Sequence, residues 1–272
     1  MLKVNCLSHS YGNKLILNEI NLEIPFGQFI SLVGPSGCGK STLLKCMLGT
    51  LKPTIGNITL VDKLVNKPTR DIGIVYQHYS LYDFLTTEEN VAFGLNLEQT
   101  SFLFRLFGGP FWKRIKNINE EKAKKLLIDL GLKNAIGLYP SQLSGGMKQR
   151  VAIGQAIIMQ PKILLLDEPF GALDEATRED LQNLMISFYN INKECVSLGK
   201  TPPYTVIIVT HELNEAIYLS DRIVGLSQYN HVGNGAKIVY DKPATAFDKK
   251  SDRDYSLFLK QKQEIREIVF ND

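Results

Sequence analysis

The sequence predicts an α/β protein with a mostly parallel core sheet, an antiparallel β region before it and a helical subdomain inserted into it. Three observations support this fold class. The apolar run Phe29 to Val33 leads into a glycine-rich loop, and a helical pattern follows at Lys40. The hydrophobic period is helical from about residue 86 to 160. After that, short apolar runs alternate with helical segments, which is typical of βαβ units and a parallel sheet.

Each element is assigned from its hydrophobic period and from its turn and capping residues. The predicted strands lie around Leu2 to Cys6 and at Leu15 to Ile24, Phe29 to Val33, Ile58 to Val61, Ile72 to Tyr76, Ile163 to Leu166, Tyr204 to Val209 and Arg222 to Leu226. The predicted helices are Lys40 to Leu48, Glu88 to Leu97, Glu120 to Leu130, Ser144 to Met159, Glu175 to Asn190 and Leu213 to Leu219. Beyond Tyr240, Pro243 and the charged stretch Asp248 to Asp254 indicate a peripheral helical tail.

Composition is that of an ordinary soluble globular protein, with 44% apolar and 22% charged residues among 272. The net charge of +3 is small and acidic residues are interspersed, which argues against a general nucleic-acid-binding role. The apolar runs are far shorter than the roughly 20 residues that span a bilayer. No secretory signal is visible, so we expect a cytoplasmic protein with reduced thiols at its four cysteines.

The glycine-rich loop from Gly34 to Ser41 fits the pattern G-x-x-x-x-G-K-[ST], which defines the P-loop of NTPases. In such loops backbone N–H groups wrap the phosphates, the lysine reaches the β and γ oxygens, and the hydroxyl ligates Mg²⁺. The predicted nucleotide-binding residues are Gly34, Pro35, Ser36, Gly37, Cys38, Gly39, Lys40, Ser41 and Thr42.

Two carboxylates, Asp167 and Glu168, follow the aliphatic strand Ile163 to Leu166. They are therefore expected at the carboxyl edge of a buried parallel strand, where ligands bind in open α/β sheets. Asp167 would hold Mg²⁺, and Glu168 would orient the attacking water and accept its proton. The alternative is a solvated acidic pair that begins a turn before Pro169.

Three further side chains are candidates for contact with the nucleotide. Gln77 and His211 each follow a predicted core strand, where they can reach the γ-phosphate or its water, although either can also be a polar residue that merely ends a strand. Tyr11 precedes the glycine loop by one hairpin. Its ring can stack on a purine, and a buried turn tyrosine is the alternative.

A second glycine sequence begins at Leu143 and continues Ser144, Gly145 and Gly146, with no lysine in the place that Lys40 takes in the first. Ser144 can cap the following helix, while the two glycines let backbone amides approach an anion. A helix start that contains glycine but binds no ligand is the alternative. The asymmetry between the two glycine sequences suggests half of a shared site.

The order of these sequences resembles the nucleotide-binding subunit of ABC transporters, over about Leu2 to Val239. The segments that carry the resemblance are the P-loop, Gln77, Leu143 to Gly146, Ile163 to Glu168, Gly171 to Asp174 and Val209 to Glu212. The resemblance implies a RecA-like P-loop NTPase domain over residues 1–240, with its helical subdomain at about 86–160, and a tail over 241–272. It also implies ATP and Mg²⁺ as cofactors.

In that family two subunits face each other head to tail, and the signature helix of one completes the ATP site of the other. By position, the residues acting on the subunit's own nucleotide are Lys40, Ser41, Gln77, Asp167, Glu168 and His211. Of these, Lys40, Gln77, Glu168 and His211 are the implied catalytic residues, and Ser41, Gln77 and Asp167 the implied metal ligands. Ser144, Gly145 and Gly146 would act across the dimer, Asp174 would lie near the opposite site, and Tyr11 matches the adenine-stacking aromatic.

The resemblance further implies a separate membrane permease, an extracytoplasmic substrate-binding protein and a position on the cytoplasmic face of the membrane. Leu143 to Arg150, Phe170 to Asp174 and Glu89 to Leu95 look most like importers of nitrate, sulfonate, taurine and bicarbonate. Met147 departs from the family signature, which usually has glutamine there. The alternatives are a soluble ABC ATPase acting on nucleic acid or ribosomes, an exporter subunit, and a nucleotide-gated switch with little turnover.

The segment Ser101 to Arg114 concentrates aromatic and basic residues around Gly108, Gly109 and Pro110. One interpretation is a helix-loop-helix whose aromatic rings fill the core of the subdomain. The other is a surface patch for a partner or a membrane interface, where aromatic residues and arginine are enriched. Near Gln77, three more aromatic residues are candidates for a groove that receives the permease, namely Tyr79, Tyr82 and Phe84.

Overall fold

The structure, a computed structural model, describes residues 1–171, 173–228, 234–245 and 255–270. These residues form two compact units. The core unit comprises Met1–Ile74, Lys162–Pro169 and Met185–Asp272, and the helical unit comprises Val75–Pro161 and Phe170–Leu184. Unlike the predicted subdomain at about 86–160, the helical unit also includes residues that follow the strand carrying Asp167.

The antiparallel β region has four strands in the order β2-β1-β4-β5. The strands are β1 (Leu2–Tyr11), β2 (Lys14–Ile24), β4 (Ile55–Leu60) and β5 (Lys63–Leu64). Leu2, Val4 and Leu7 are buried on β1, and Gly12 adopts a φ of +59° in the hairpin that joins β1 to β2. The predicted antiparallel region is confirmed.

The core sheet has six strands in the order β10-β9-β3-β8-β7-β6. They are β3 (Phe29–Val33), β6 (Ile72–Val75), β7 (Ile163–Asp167), β8 (Val206–Val209), β9 (Arg222–Leu226) and β10 (Ile238–Pro243). Strand β3 pairs in parallel with β8 and β9, and β7 pairs in parallel with β8. Every residue of β3 and β8 is buried, as expected for parallel strands covered on both faces.

The core unit contains α1 (Lys40–Leu48), α7 (Leu213–Leu219) and α8 (Tyr255–Ile265), which is followed by a π-helical turn. Strand β10 extends the described chain beyond Tyr240 as an antiparallel neighbour of β9. Ile265 and Val269 are fully buried in one cluster with Val33 and Tyr240. The end of the tail, expected to be peripheral, thus contributes to a core. The predicted charged stretch at 248–254 lies outside the described residues.

The helical unit contains α2 (Thr87–Gln99), α3 (Phe102–Phe107), α4 (Gly109–Asp129), α5 (Gly145–Ile157) and the first part of α6 (Glu175–Ser197). A capping box between Thr86 and Glu89 begins α2. The side chain of Leu130, the residue directly after α4, packs against α5 at Gly154, where a Cβ would lie 3.0 Å from Leu130 Cδ1. Helix α4 begins at Gly109, well before the predicted Glu120, because Pro110 is tolerated in the first turn of a helix.

The aromatic residues at 102–111 lie on the surface of the helical unit. Phe102, Phe107 and Phe111 are 70%, 77% and 73% exposed. The interpretation that they fill the core is therefore wrong. Across the described part of the chain, the structure contains no helix that combines the length and the apolar character needed to cross a membrane.

Candidate nucleotide-binding site

The P-loop joins β3 to α1 with a backbone that requires glycine at position 39. Gly39 has a φ of +105°, and a Cβ there would lie 2.8 Å from Leu17 Cδ2 and 2.9 Å from Ile16 Cγ2. Gly39 is also the N-cap of α1 and offers no side chain to the first helical amides. These N–H groups, together with the positive end of the helix dipole, form an anion-binding helix start.

Lys40 is held against the loop that precedes it. Its Nζ donates to the carbonyl oxygens of Gly34 at 2.7 Å and Pro35 at 2.9 Å, and the residue is only 7% exposed. The ammonium group is thus positioned at the loop by hydrogen bonds that phosphate oxygens can replace. Burial raises the pKa of the neighbouring Cys38 thiol, which favours its neutral form.

Ser41 and Asp167 supply oxygen ligands of the kind that Mg²⁺ prefers. Ser41 Oγ donates to Asp167 Oδ1 at 3.4 Å. Magnesium sites usually combine one or two protein oxygens with water and substrate phosphates, so this donor set fits the ion. Within the described residues, there is no cluster of three or more His, Cys, Asp and Glu side chains that could hold a metal ion.

The carboxyl group of Asp167 is poised to bind a cation. Burial raises its pKa and the nearby Glu168 carboxylate raises it further, while the hydrogen bond from Ser41 opposes the shift. These effects disfavour the charged form in the absence of a metal ion. A divalent cation at Asp167 reverses this balance because it is the largest local charge in such a site.

Replacing Asp167 with Asn is expected to stabilise the metal-free protein near neutral pH. Because the folded-state pKa lies above the unfolded-state value, stability falls as pH rises between those two values and stays lower above them. Thermal unfolding with a chelator present should give a higher midpoint for D167N than for wild type at about pH 7. The difference should shrink as pH falls below the unfolded-state pKa. Equal midpoints at neutral pH would contradict this interpretation.

Glu168 and His211 meet at the carboxyl ends of β7 and β8. Asp167 lies opposite Val209 in the parallel register, and the Glu168 amide donates to the Val209 carbonyl at 2.9 Å. Glu168 has a φ of +48°, an uncommon conformation that marks functional sites when the surroundings fix it. Its Oε1 lies 3.4 Å from His211 Nδ1. The carboxylate can accept a proton, and the imidazole can donate to an anion.

Thr210 and Glu215 fix the backbone between β8 and α7. Thr210 Oγ1 donates to Glu215 Oε2 at 2.9 Å in a buried contact, and it accepts from the Glu212 amide at 3.0 Å. These hydrogen bonds position His211, which lies between Thr210 and Glu212 in the turn. No sequence motif predicted the pair of Thr210 and Glu215, although a threonine directly after an aliphatic strand was the available signal.

Tyr11 lies at the end of β1 and is 50% exposed. Its ring packs edge-to-face on His9, with centroids 4.8 Å apart and planes at 84°. The alternative of a buried turn tyrosine is therefore wrong. A half-exposed aromatic ring of this kind can stack on a flat ligand.

The second glycine sequence forms the start of α5 in the helical unit. Ser144 is the N-cap, and its Oγ accepts a hydrogen bond from the Met147 amide at 3.3 Å. The Met147 amide is thus engaged by the cap, and the amides of Gly145 and Gly146 are the donors nearest the helix start. The arrangement matches an anion-binding helix N-terminus.

Asp174 and Thr177 build the surroundings of Gly146. The two carboxylate oxygens of Asp174 accept from the Thr177 amide at 3.0 Å and from the Thr177 hydroxyl at 2.8 Å. These bonds hold the pKa of Asp174 below its ordinary value. A Cβ at Gly146 would lie 1.9 Å from Thr177 Cγ2, so the glycine is required by this close packing.

Replacing Gly146 with Ala should destabilise the protein by roughly 1–3 kcal/mol, as overpacking typically does. The variant T177S removes Cγ2 but keeps the hydroxyl that bonds to Asp174. We therefore expect G146A/T177S to recover most of the lost stability and ATPase activity, with T177S alone as the matched control. Thermal unfolding measures the stability of each variant, and phosphate release measures its ATPase activity. A G146A protein as stable as wild type would rule out the steric account.

The structure groups the predicted residues within each unit. In the core unit, the P-loop with Lys40 and Ser41 belongs to the same sheet edge as Asp167, Glu168 and His211, and Pro35, Ser36 and Thr42 lie on the same loop and helix start. In the helical unit, Ser144, Gly145 and Gly146 pack beside the segment that carries Asp174. Gln77 is exposed and also belongs to the helical unit.

A P-loop with an adjacent carboxylate pair on a parallel sheet defines a nucleotide-hydrolysing protein of the P-loop class. The family model described as "ABC transporter" matches residues 17–171 of this chain. The chain belongs to the ABC transporter family. It is an ATP-binding domain of that family and an ATPase.

Two curated relatives are import proteins. The chain is 37% identical over 251 residues to the spermidine/putrescine import ATP-binding protein PotA of Bacillus cereus, covering 91% of this chain and 69% of the relative. It is 39% identical over 249 residues to the sulfate/thiosulfate import ATP-binding protein CysA of Mesostigma viride, covering 90% and 64%. The chain thus spans about two thirds of each relative.

Two solved structures of one ABC cassette match this chain over 91% of its length. A dimeric structure of MJ0796, a bacterial ABC transporter cassette, matches with a TM-score of 0.69 and 31% identity, covering 91% of this chain and 100% of that one. A dimeric post-hydrolysis structure of the same cassette, bound to ADP and Pi, matches with a TM-score of 0.66 and 29% identity over the same shares. The predicted P-loop NTPase fold is confirmed.

Proposed function

We propose that this chain is the ATP-hydrolysing subunit of an ABC importer, that it pairs with a second ATP-binding subunit, and that the pair drives a separate membrane permease. The observation that carries the proposal is the division of phosphate-binding parts. The core unit holds Lys40, Ser41, Asp167 and Glu168, whereas α5 has Gly145 at its first helical position, which Lys40 takes in α1. Each ATP site in the proposed dimer therefore takes its P-loop from one subunit and its signature helix from the other.

The residues of the core unit act on the subunit's own ATP. Ser41 and Asp167 would hold Mg²⁺, which neutralises charge on the phosphates. Lys40 exchanges its bonds to loop carbonyls for bonds to phosphate oxygens. Glu168 accepts the proton of the attacking water, and His211, whose Nδ1 lies 3.4 Å from Glu168 Oε1, donates to the γ-phosphate.

Residues of the helical unit act on the partner's ATP. The amides of Gly145 and Gly146, together with the Ser144 side chain, approach the γ-phosphate bound by the other subunit. Asp174 has a structural role here, because it fixes Thr177 beside Gly146. In the dimer we place it next to the opposite site. Tyr11 stacks on the adenine of the subunit's own nucleotide.

The proposed partner in the membrane is an integral permease contacted from the cytoplasmic face. Tyr82 and Phe84 are 37% and 73% exposed, and Tyr82 packs on Phe93 at 4.5 Å between ring centroids. With the less exposed Tyr79, these rings support the proposal of a groove for a cytoplasmic helix of the permease. An extracytoplasmic substrate-binding protein completes the proposed system, and nucleic acid is not a proposed partner.

The transported solute is proposed to be a small anion, with nitrate, sulfonate, taurine and bicarbonate as the first candidates from the sequence resemblance. The relatives described above are named for import of spermidine/putrescine and of sulfate/thiosulfate. Relatives at this level of sequence identity are thus named for solutes of opposite charge. We therefore include sulfate and a polyamine in the panel of solutes to be tested.

The proposal is tested by purifying the tagged chain from native membranes in mild detergent and identifying the proteins that accompany it. We expect an integral permease, and ATPase activity in proteoliposomes that rises with one solute of the panel. Purification with ribosomes or nucleic acid and without a membrane protein would contradict the importer proposal. In that case binding should show the steep salt dependence of phosphate contacts.

A further inference from the structure

The helical unit presents an apolar surface at the corner between α3 and α4, which we call the aromatic corner. Every residue of α3 is exposed or only partly buried. The exposed apolar side chains are Phe102 at 70%, Leu103 at 65%, Phe104 at 38%, Leu106 at 62%, Phe107 at 77% and Phe111 at 73%. Contiguous apolar surface of this kind usually marks an interaction site.

Polar contacts hold the aromatic corner in place. Ser101 Oγ accepts from the Phe104 amide at 3.2 Å, and the Gly108 amide donates to the Phe104 carbonyl at 2.7 Å. Arg105 Nη1 donates to the Thr100 carbonyl at 2.8 Å, next to the last residue of α2. The corner is therefore an ordered projection whose apolar side chains are not used to build the core.

The charge around the aromatic corner has one sign. Residues 100–119 include Arg105, Lys113, Arg114 and Lys116 and no acidic residue. Lys116 pairs with Glu89 and Glu120, while Lys113 and Arg114 are exposed directly beside Phe111. Exposed apolar side chains flanked by cations match the headgroup region of an anionic bilayer, where the rings enter the interface and the cations meet lipid phosphates.

We propose that the aromatic corner binds the anionic lipid surface of a membrane. A bilayer accommodates a projecting apolar corner without a shaped pocket, and its negative surface charge complements the unopposed cations at 113 and 114. Such a contact attaches the ATPase to a membrane in a way that does not depend on the nucleotide. The inference stands on the helical unit alone and does not require the proposed transport function.

The test measures co-sedimentation of the purified full chain, without any permease, with phosphatidylcholine vesicles that either contain or lack phosphatidylglycerol. We expect binding to the anionic vesicles to be at least about tenfold tighter and to weaken with salt. Two variants probe the corner, F107S/F111S for its apolar part and K113E/R114E for its charge. Each is expected to weaken binding by about tenfold or more while ATP hydrolysis in solution stays unchanged.

Matched controls come from the same chain. K122E/K125E makes the same charge change farther along α4, and V196S/L198S removes two apolar side chains that are each 61% exposed on or just after α6. Both should bind vesicles like wild type. Equal binding by wild type and F107S/F111S, or equal binding to neutral and anionic vesicles, would overturn the proposal. The proposal would also be overturned if the corner variants still bound lipid but lost the copurifying permease. The same holds if they still bound lipid but changed their oligomeric state.

Discussion

Replacing Glu168 with Gln is expected to lower the rate of ATP hydrolysis by roughly 10²- to 10⁴-fold, the usual contribution of a general base. The amide keeps the size of the side chain and can still lie near His211, but it cannot accept a proton from water. ATP binding should be retained because the P-loop contacts are untouched. ATP should consequently accumulate in a stable dimer, which size-exclusion chromatography with light scattering detects.

The matched control for Glu168 is Glu212→Gln. Glu212 Oε1 lies 3.9 Å from the other ring nitrogen of His211, and its side chain is 54% exposed. We expect this variant to hydrolyse ATP at close to the wild-type rate. Wild-type turnover in E168Q, with E212Q equally active, would refute Glu168 as the base.

Replacing Ser144 with Arg is expected to lower the rate of ATP hydrolysis by about 100-fold or more. The variant should still bind ATP at its own P-loop. A large side chain at the N-cap of α5 blocks close approach of the Gly145 and Gly146 amides to an anion. In the proposed dimer that anion belongs to the partner's nucleotide. Equilibrium binding of a fluorescent ATP analogue, compared with phosphate release, separates the two effects.

Ser144→Ala is the control for the capping role of this residue. It removes the acceptor for the Met147 amide, which should lower stability by about 1 kcal/mol, but it adds no bulk. We expect S144A to retain more hydrolysis than S144R. Similar rates in the two variants would mean that loss of the cap, and not blocked access, explains the effect.

The sequence predicted best where chemistry constrains the backbone. The strand from Phe29 to Val33 and the helix from Lys40 to Leu48 have the predicted bounds, since a buried strand, a glycine loop and a helix start are all visible in local sequence. The placement of Asp167 and Glu168 after a strand followed from the aliphatic run before them. Local pattern was sufficient in these cases because each element has its own signal.

Other features depend on contacts between distant parts of the chain. Strand β10 was missed because its partner β9 determines it and its own residues include Lys242 and Pro243. The requirement for glycine at 146 comes from Thr177, which no local pattern connects to it. The aromatic segment was ambiguous because aromatic residues at helical spacing look alike in a core and on a surface.

The central claim, that each ATP site is shared between two subunits, is tested most directly by mixing two inactive variants. K40A damages its own site, and S144R damages the site of its partner. If the partner is a second copy, random pairing makes half of the dimers mixed, and each mixed dimer has one intact site, so about one quarter of wild-type hydrolysis should return. A mixture whose rate is only the mean of the two separate variants would contradict the shared site.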